Sequence, residues 1–404
     1  MSVARRVLWI SPKLPFPLLS GDKIRQYNLI RRLAAKHSVH LIAFIERPED
    51  REFVPALQKY CECVTVVPLP LRWPLPVRTL VALDPRTPFS ARRCESPLLR
   101  RAITQATSET PFDVVQIEHI HMAQYFSSVA PGSRAAKILT LHNVDSLLTA
   151  RCGAVEPLAL KRLYWQFESK KFARLEQRWL HSLDAVITMS EQDREFVART
   201  VPGSKPVTVD NGVDVEEYDI GSGVNREQSV VFTGSLSYPP NADGVNFFLK
   251  LVWPLVRSAV PQAACNIVGR DPSHALMAQS GKDGIVVTGP VEDVRPYLAR
   301  AGVVVVPLRA GGGTRLKILE AMATGNGIVS TRLGAEGLDV RDGRDLVLAD
   351  EPESFAQATI RILTDVSLRQ RLGTAARRRV EDRYDWRFAA EALDRVYESA
   401  VEGI

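Results

Sequence analysis

At 404 residues, 45% apolar and 24% charged, the chain has the make-up of an ordinary globular protein and is too long for a single core, so two domains of roughly 200 residues each are expected. No apolar run approaches the roughly 18 residues of a membrane span, and residues 1–10 hold too short an apolar stretch before Ser11-Pro12 for a secretory leader, so they read as the first strand of a cytoplasmic protein. The formal charge of +6 is unevenly shared: residues 1–200 hold 29 Lys+Arg against 19 Asp+Glu, and residues 201–404 hold 23 against 27. A basic first half suits an anionic membrane surface or lipid phosphate, or is simply a set of solvated helix faces; no nucleic-acid-binding module accompanies it. The five cysteines (Cys61, Cys63, Cys94, Cys152, Cys265) are odd in number and scattered, as expected of reduced thiols and not of a disulfide framework or metal site.

In chain order, residues 5–11 are predicted as a strand and 12–21 as a proline-rich loop. Residues 22–36 are predicted as a helix from the spacing of Ile24, Tyr27, Leu29, Ile30 and Leu33, and 39–45 as a second strand. This β–loop–α–β opening starts a doubly wound sheet, whose ligands sit beyond the C-terminal strand ends, where Lys13, Gly21 and Arg25 fall. A short strand follows at 64–68. Residues 68–90, rich in Pro, Leu and Arg with Trp73, read as a packed irregular excursion, with an ordered acceptor loop or a membrane-touching loop as the alternatives. Strands at 113–117 and 135–141 end at Glu118-His119-Ile120-His121 and at His142-Asn143-Val144-Asp145, which puts these side chains at the ligand end of the sheet.

Residues 158–182 form a long charged helix. Its aromatic stripe (Tyr164, Trp165, Phe167, Phe172, Trp179) reads as core, and its basic series (Lys161, Arg162, Lys170, Lys171, Arg174, Arg178) suits anionic lipid. A strand at 184–189 leads to Ser190, which caps a helix at 191–200. Residues 202–206 have the composition of a linker. The expected division is therefore 1–203 and 204–382, with a final segment 383–404. Residues 219–228, with Gly221, Ser222, Gly223 and Asn225, read as a flexible loop. The second domain opens with a strand at 229–233, the turn Gly234-Ser235-Leu236, and Pro239-Pro240-Asn241 starting a helix. Strands at 264–269 and 285–288 run into Arg270 and Gly289-Pro290-Val291.

The most informative stretch comes next. Val303-Val304-Val305-Val306 reads as a parallel strand buried on both faces. Gly311-Gly312-Gly313 permits a sharp turn and close approach to a ligand, and Thr314 to Thr324 reads as a helix ended by Gly325. Free amides and the positive dipole end of such a helix, with Arg315 and Lys317, favour a phosphorylated ligand, while Glu320 offers a carboxylate to sugar hydroxyls. Three further helices are expected near 354–363, 367–380 and 385–401.

Lys317-x-x-Glu320-Ala321-Met322-Ala323-x-Gly325 resembles the donor-binding signature of the retaining glycosyltransferases of family 4, in particular the exopolysaccharide-type sugar transferases. The resemblance implies an α/β GT-B fold: two doubly wound Rossmann-like domains facing a central cleft, the acceptor-side domain first. It also implies that the last helix crosses back to the first domain. The implied reaction moves a sugar from a nucleotide-diphosphate sugar to a hydroxyl, with retention, on a lipid-linked or other glycan acceptor in exopolysaccharide or cell-surface polysaccharide synthesis. No cofactor and no metal are expected, and the protein would sit in the cytoplasm, peripheral to the membrane. His142, Arg315 and Lys317 are implied as catalytic. Gly21, Gly234, Ser235, Arg270, Val291, Gly312, Gly313, Thr314, Arg315, Lys317 and Glu320 are implied in donor binding, with Glu320 on the ribose. The family's first glutamate falls at Gly312, so glycine-loop amides would substitute for it. Two rival readings stand beside this one. One is a sugar-nucleotide epimerase of the same fold, for which Glu118 and Asp145 are the nearby carboxylates; the other is a non-catalytic nucleotide-sugar-binding protein. A dinucleotide oxidoreductase is disfavoured, because no Gly-x-Gly-x-x-Gly follows the first strand.

Overall fold

A computed structural model describes residues 3–70, 73–219 and 226–403, which divide into two compact units. The expected loop at 219–228 falls mostly outside the described residues. The first unit comprises residues 1–210 and 386–404, the second residues 211–385.

The first unit is built on seven strands: β1 (Arg6–Ser11), β2 (Ser38–Ile45), β3 (Cys63–Pro68), β4 (Val114–Glu118), β5 (Ala136–Leu141), β6 (Ala185–Thr188) and β7 (Pro206–Thr208). They are all parallel, in the order β3-β2-β1-β4-β5-β6-β7. β4, β5 and β6 are almost wholly buried and mostly apolar, as a parallel sheet covered by helices on both faces requires, with Gln116, Glu118, Thr140 and Thr188 as buried polar exceptions. The expected boundary at 203/204 is corrected by β7. Pro206 to Thr208 pair with Val186 to Thr188, so the proline-rich "linker" is an edge strand, and Pro206 sits at its start, where no ladder N–H is needed. The expected end of the second domain at 382 moves as well, since the helix Val366–Arg383 runs on before Trp386–Glu402 begins. That last helix buries Trp386, Leu393, Val396 and Tyr397 in the first unit, and Asp394 pairs with Lys36 and with His37 Nε2 at 3.0 Å.

The second unit repeats the architecture with β8 (Ser229–Thr233), β9 (Ala264–Val268), β10 (Ile285–Gly289), β11 (Val303–Val306), β12 (Ile328–Ser330) and β13 (Val347–Leu348). Its parallel order is β10-β9-β8-β11-β12-β13. The four valines of β11 are all at most 1% exposed, each worth about 1.5–3 kcal/mol of apolar burial. In each sheet the order reverses beside the first strand of its unit, between β1 and β4 and between β8 and β11. Crevices beyond the strand ends at such points are where doubly wound sheets take their ligands.

Two expectations about packing change. The aromatic stripe of the helix Ala159–Leu180 is core only in part: Phe172 is buried and Trp179 packs against the core, while Tyr164 is exposed. The stripe is split because residues 159–164 of the helix are exposed, whereas its later turns pack on the core. The stretch 68–90 contains a helix, Leu75–Ala82, with no buried residue.

Candidate functional site

In the second unit the switch-point turn after β8 is held by glycine geometry. Gly234 has φ +146°, and a Cβ there would lie 2.8 Å from Lys317 Nζ and 2.9 Å from Asn241 Nδ2. Only glycine fits both the angle and the space. Asn241, 7% exposed in the helix Pro239–Phe247, donates its Nδ2 to the carbonyl of Ser235 at 2.8 Å and accepts Lys317 Nζ on Oδ1 at 2.9 Å. Lys317 Nζ also lies 4.0 Å from the centre of the Phe232 ring. Sequence reading missed Asn241 and Phe232. The available signal was that Asn241 opens a helix directly after the Gly234 turn. Burial, reinforced by Arg315, pushes the Lys317 ammonium down to about 7, with Glu320 opposing.

The second wall is the loop after β11. Gly311 (φ +135°) and Gly313 (φ +64°) need glycine for their backbone angles, whereas Gly312 is not among the positive-φ residues. The helix begins at Leu316, not Thr314, because Arg315 keeps an extended backbone (φ −93°, ψ 101°). The amides offered at the helix start are therefore those of 316–317 and not 313–315. Thr314 Oγ1 accepts Asn211 Nδ2 at 2.7 Å. Arg315 is turned inward: it is 9% exposed, and its guanidinium donates to the carbonyls of Gly312 and Gly313. Arg315 thus braces the glycine loop, and its like charge disfavours the charged form of Lys317. Glu320 stays partly accessible one turn on, hydrogen-bonded by Tyr218. Burial raises its pKa, against the Tyr218 bond and the Lys317 charge. Gly325 (φ +63°) closes the helix as expected, its N–H on Met322 and that of Asn326 on Ala321. Arg270 meets the Gly234 turn through its backbone, its carbonyl accepting Leu236 N–H at 2.8 Å. Val291 packs on the core of this unit and has no polar contact with the turn among those described.

In the first unit the strand ends assemble a cluster the sequence only outlined. His142 follows β5, and its Nε2 lies 2.6 Å from Glu118 Oε2 at the end of β4. His119 has φ 70°, a rare angle for a residue with a side chain, and its ring stacks on His142 at 4.2 Å and 17°. His121 lies 5.1 Å from His119, and His119 Nε2 is 3.8 Å from Asp22 Oδ2. Lys13 lies 3.9 Å from Asp22 on its other side. Burial works to raise the Asp22 carboxyl, but the nearby His119 ring and the Lys13 charge outweigh it and hold it well below the carboxylate range. Burial depresses His119 and His121 so that both favour neutrality. Gly21 starts the helix Gly21–Leu33 next to Asp22. Arg25 is 1% exposed, donates to the carbonyls of Val209 and Asp210 at 2.9 and 2.8 Å, and lies near enough to Glu118 to feel its charge. The two carboxylates an epimerase would draw on differ in state. Glu118 is committed to His142, and burial with the Glu176 charge pushes Asp145 up to about 8. Among the described residues no group of three or more His, Cys, Asp or Glu is placed to hold a metal ion.

Residues 24–217 match the family described as Glycosyltransferase Family 4, and residues 227–365 match Glycosyl transferases group 1. The phosphatidyl-myo-inositol mannosyltransferase of Mycolicibacterium smegmatis is 32% identical over 321 residues, covering 76% of this chain and 77% of that protein. The chain belongs to the glycosyltransferases of family 4. A second relative of this glycosyltransferase, an uncharacterised protein of the cps region of Klebsiella pneumoniae, is 24% identical over 94% of this chain and 96% of its own length. Among solved structures, Anabaena HepE in complex with UDP-glucose aligns with a TM-score of 0.69 over 99% of this chain and all of that one, at 14% identity. At that identity the likeness concerns fold, which is GT-B, with a Rossmann-like sheet in each unit.

Proposed function

We propose that this glycosyltransferase moves a hexose, with retention and without a metal ion, from a nucleotide-diphosphate sugar to a hydroxyl of a lipid-linked glycan precursor of an exopolysaccharide or other cell-surface polysaccharide. The observation that carries the reading is the Gly234–Asn241–Lys317 arrangement at the second unit's switch point: a lysine nitrogen held by Asn241 against a glycine turn. Losing that diphosphate creates an oxocarbenium-like centre, so positive charge at the leaving oxygens lowers the barrier most. Lys317 and the amides of 316–317 supply that charge, Arg315 stiffens the loop, and Glu320 takes the ribose. His142 also takes part in the transfer. A structure of similar fold was solved with UDP-glucose, and the relative in the cps region supports a polysaccharide setting. The test is a panel of nucleotide sugars in calorimetry, followed by transfer to lipid-linked acceptors with chelator present. One donor should bind, and Lys317→Ala should abolish its transfer. Absence of binding across uridine, guanosine and thymidine diphosphate sugars would refute the reading.

Peripheral attachment at the cytoplasmic face of a membrane belongs to the same proposal. Leu75, Leu80 and Leu83 are 73%, 71% and 64% exposed, and Leu160 and Leu163 are 81% and 62% exposed. Arg78, Lys161 and Arg162 stand exposed among them. Lys171 and Arg174 of the long helix donate to the carbonyls of Ala82 and Pro85, each at 3.1 Å, joining the two stretches. Exposed leucines mixed with basic residues suit an anionic bilayer surface. No helix among the described residues is long and apolar enough to cross one. The protein should sediment with phosphatidylglycerol vesicles but not phosphatidylcholine vesicles, and Leu80→Glu should release it; equal sedimentation with both would refute the attachment.

A further inference from the structure

Behind His142 runs a chain of polar side chains that no exposed group interrupts. Glu118, whose Oε2 meets His142 Nε2 at 2.6 Å, is 1% exposed, and its Oε1 accepts Gln116 Nε2 at 2.6 Å. Gln116 is 1% exposed, and the same nitrogen donates to Thr140 Oγ1 at 3.1 Å. Its Oε1 accepts the hydroxyl of Tyr397 at 2.5 Å. Tyr397 is 0% exposed and belongs to the C-terminal helix Trp386–Glu402. Four side chains from β4, β5 and the last helix are thus joined in one buried line.

The donors and acceptors in this line can be arranged in only one sense. A tyrosine hydroxyl beside a carbonyl oxygen donates, and burial with the Glu118 charge keeps that phenol protonated. The Gln116 amide must then point its oxygen at Tyr397 and its NH₂ at Glu118 and Thr140. Glu118 accepts from Gln116 on one oxygen, so its other oxygen is an acceptor for His142. Burial opposes the Glu118 charge, yet the His142 and Gln116 hydrogen bonds outweigh it and keep the carboxylate ionised. His142 therefore carries its proton on Nε2, which leaves Nδ1 as the free lone pair when the ring is neutral. The stacked His119 ring, 17° from parallel, fixes the remaining freedom, the tilt of the plane.

The geometry points to Tyr397, Gln116 and Glu118 as positioning residues that set the tautomer and orientation of His142, so that the C-terminal helix acts in the transfer reaction itself. This rests on the reading that His142 takes part in transfer. The helix is then more than packing: one phenolic hydroxyl on it orders the amide that orders the carboxylate that orders the imidazole. A relay of this kind earns its place only if every member is satisfied, since a half-satisfied buried network is worse than an apolar one.

Two substitutions test it on the full-length protein. Tyr397→Phe keeps the ring and removes only the hydroxyl, so Gln116 is free to flip. Glu118→Gln offers its oxygen to Gln116 Nε2 and its NH₂ to His142 Nε2, which forces the proton onto Nδ1. Long-range ¹H–¹⁵N spectra of imidazole-labelled protein report the tautomer directly, with His142→Gln identifying the signal. The wild type should show the Nε2–H form. Glu118→Gln should show Nδ1–H, and Tyr397→Phe a mixture. Turnover should fall by about tenfold or more in both, with the donor KM unchanged, as expected when a residue's orienting partner is lost. An Nδ1–H wild type, or a wild-type tautomer in both variants, would overturn the relay. If the tautomer shifts as described while His142→Gln keeps full transfer, the relay stands and the role of His142 in transfer falls. If Glu118→Gln does not fold, the Tyr397→Phe spectrum alone decides.

Discussion

Lys317 offers the most direct test of the donor site. Its ammonium has three N–H groups, of which Asn241 takes one at 2.9 Å, leaving two for diphosphate oxygens. Hydrogen bonds to charged groups contribute about 1.5–3 kcal/mol each. Losing both in Lys317→Met should therefore cost about 3–6 kcal/mol of transition-state stabilisation, which is roughly 10²–10⁴ in kcat/KM. The pH dependence adds a second signature. Burial holds the free ammonium at about 7, so above that pH most of it is neutral and must take up a proton when the anionic donor binds. Donor affinity should fall by roughly tenfold per pH unit between about pH 7.5 and 9. Calorimetry in buffers of different ionisation enthalpy should show nearly one proton absorbed per donor at pH 8.5. Lys317→Arg, charged throughout, should bind with a flat profile. A flat profile in the wild type, or a Lys317→Met enzyme within about threefold of wild-type kcat/KM, would refute the assignment. The same burial makes a separate prediction for the ligand-free protein. Between pH 7 and the ordinary lysine range the unfolded chain binds a proton that the folded one lacks, so stability falls as pH drops through that window. Lys317→Met should accordingly raise the melting temperature at pH 7 while removing activity.

Gly234→Ala should abolish donor binding in calorimetry, because the Cβ would sit 2.8 Å from Lys317 Nζ on a backbone angle of +146°. Glu320→Gln should weaken binding of the nucleoside diphosphate by about tenfold, the cost of one charge-assisted hydrogen bond to a ribose hydroxyl; unchanged affinity would count against that contact. Asp145→Asn addresses stability. Its carboxyl is pushed up to about 8, by burial first and then by Glu176, which burial itself pushes up to about 7 against hydrogen bonds from Ser146. The folded chain thus keeps protons that the unfolded chain releases near pH 4, and stability declines as pH rises from there to about 8. The variant should therefore gain melting temperature over wild type at pH 8 and little at pH 4; an equal change at both would show that the carboxyl does not titrate in this window.

The strands of both units were legible because a buried parallel strand is largely apolar on both faces, as β11 is throughout and as β4, β5 and β6 are apart from Gln116, Glu118, Lys137, Thr140 and Thr188. The glycine turns and the cap at Gly325 were legible for the same local reason: positive φ restricts residue type. The signature from Lys317 to Gly325 carried the family. Register and partner were not legible. Whether Pro206 begins a linker or an edge strand depends on β6 lying alongside, and the start of a helix at 316 rather than 314 depends on Arg315 reaching back to Gly312 and Gly313. Arg315 and Arg25 look alike in sequence to any anion-binding arginine, and only packing turned both inward. Asn241 was marked only by its place at the start of the helix after the Gly234 turn, and Gln116 and Tyr397 carried no mark at all. An asparagine beside a lysine 76 positions away, or a tyrosine against a glutamine 281 positions away, becomes a polar link only when the fold buries both, because a buried donor must find an acceptor wherever in the chain that acceptor lies.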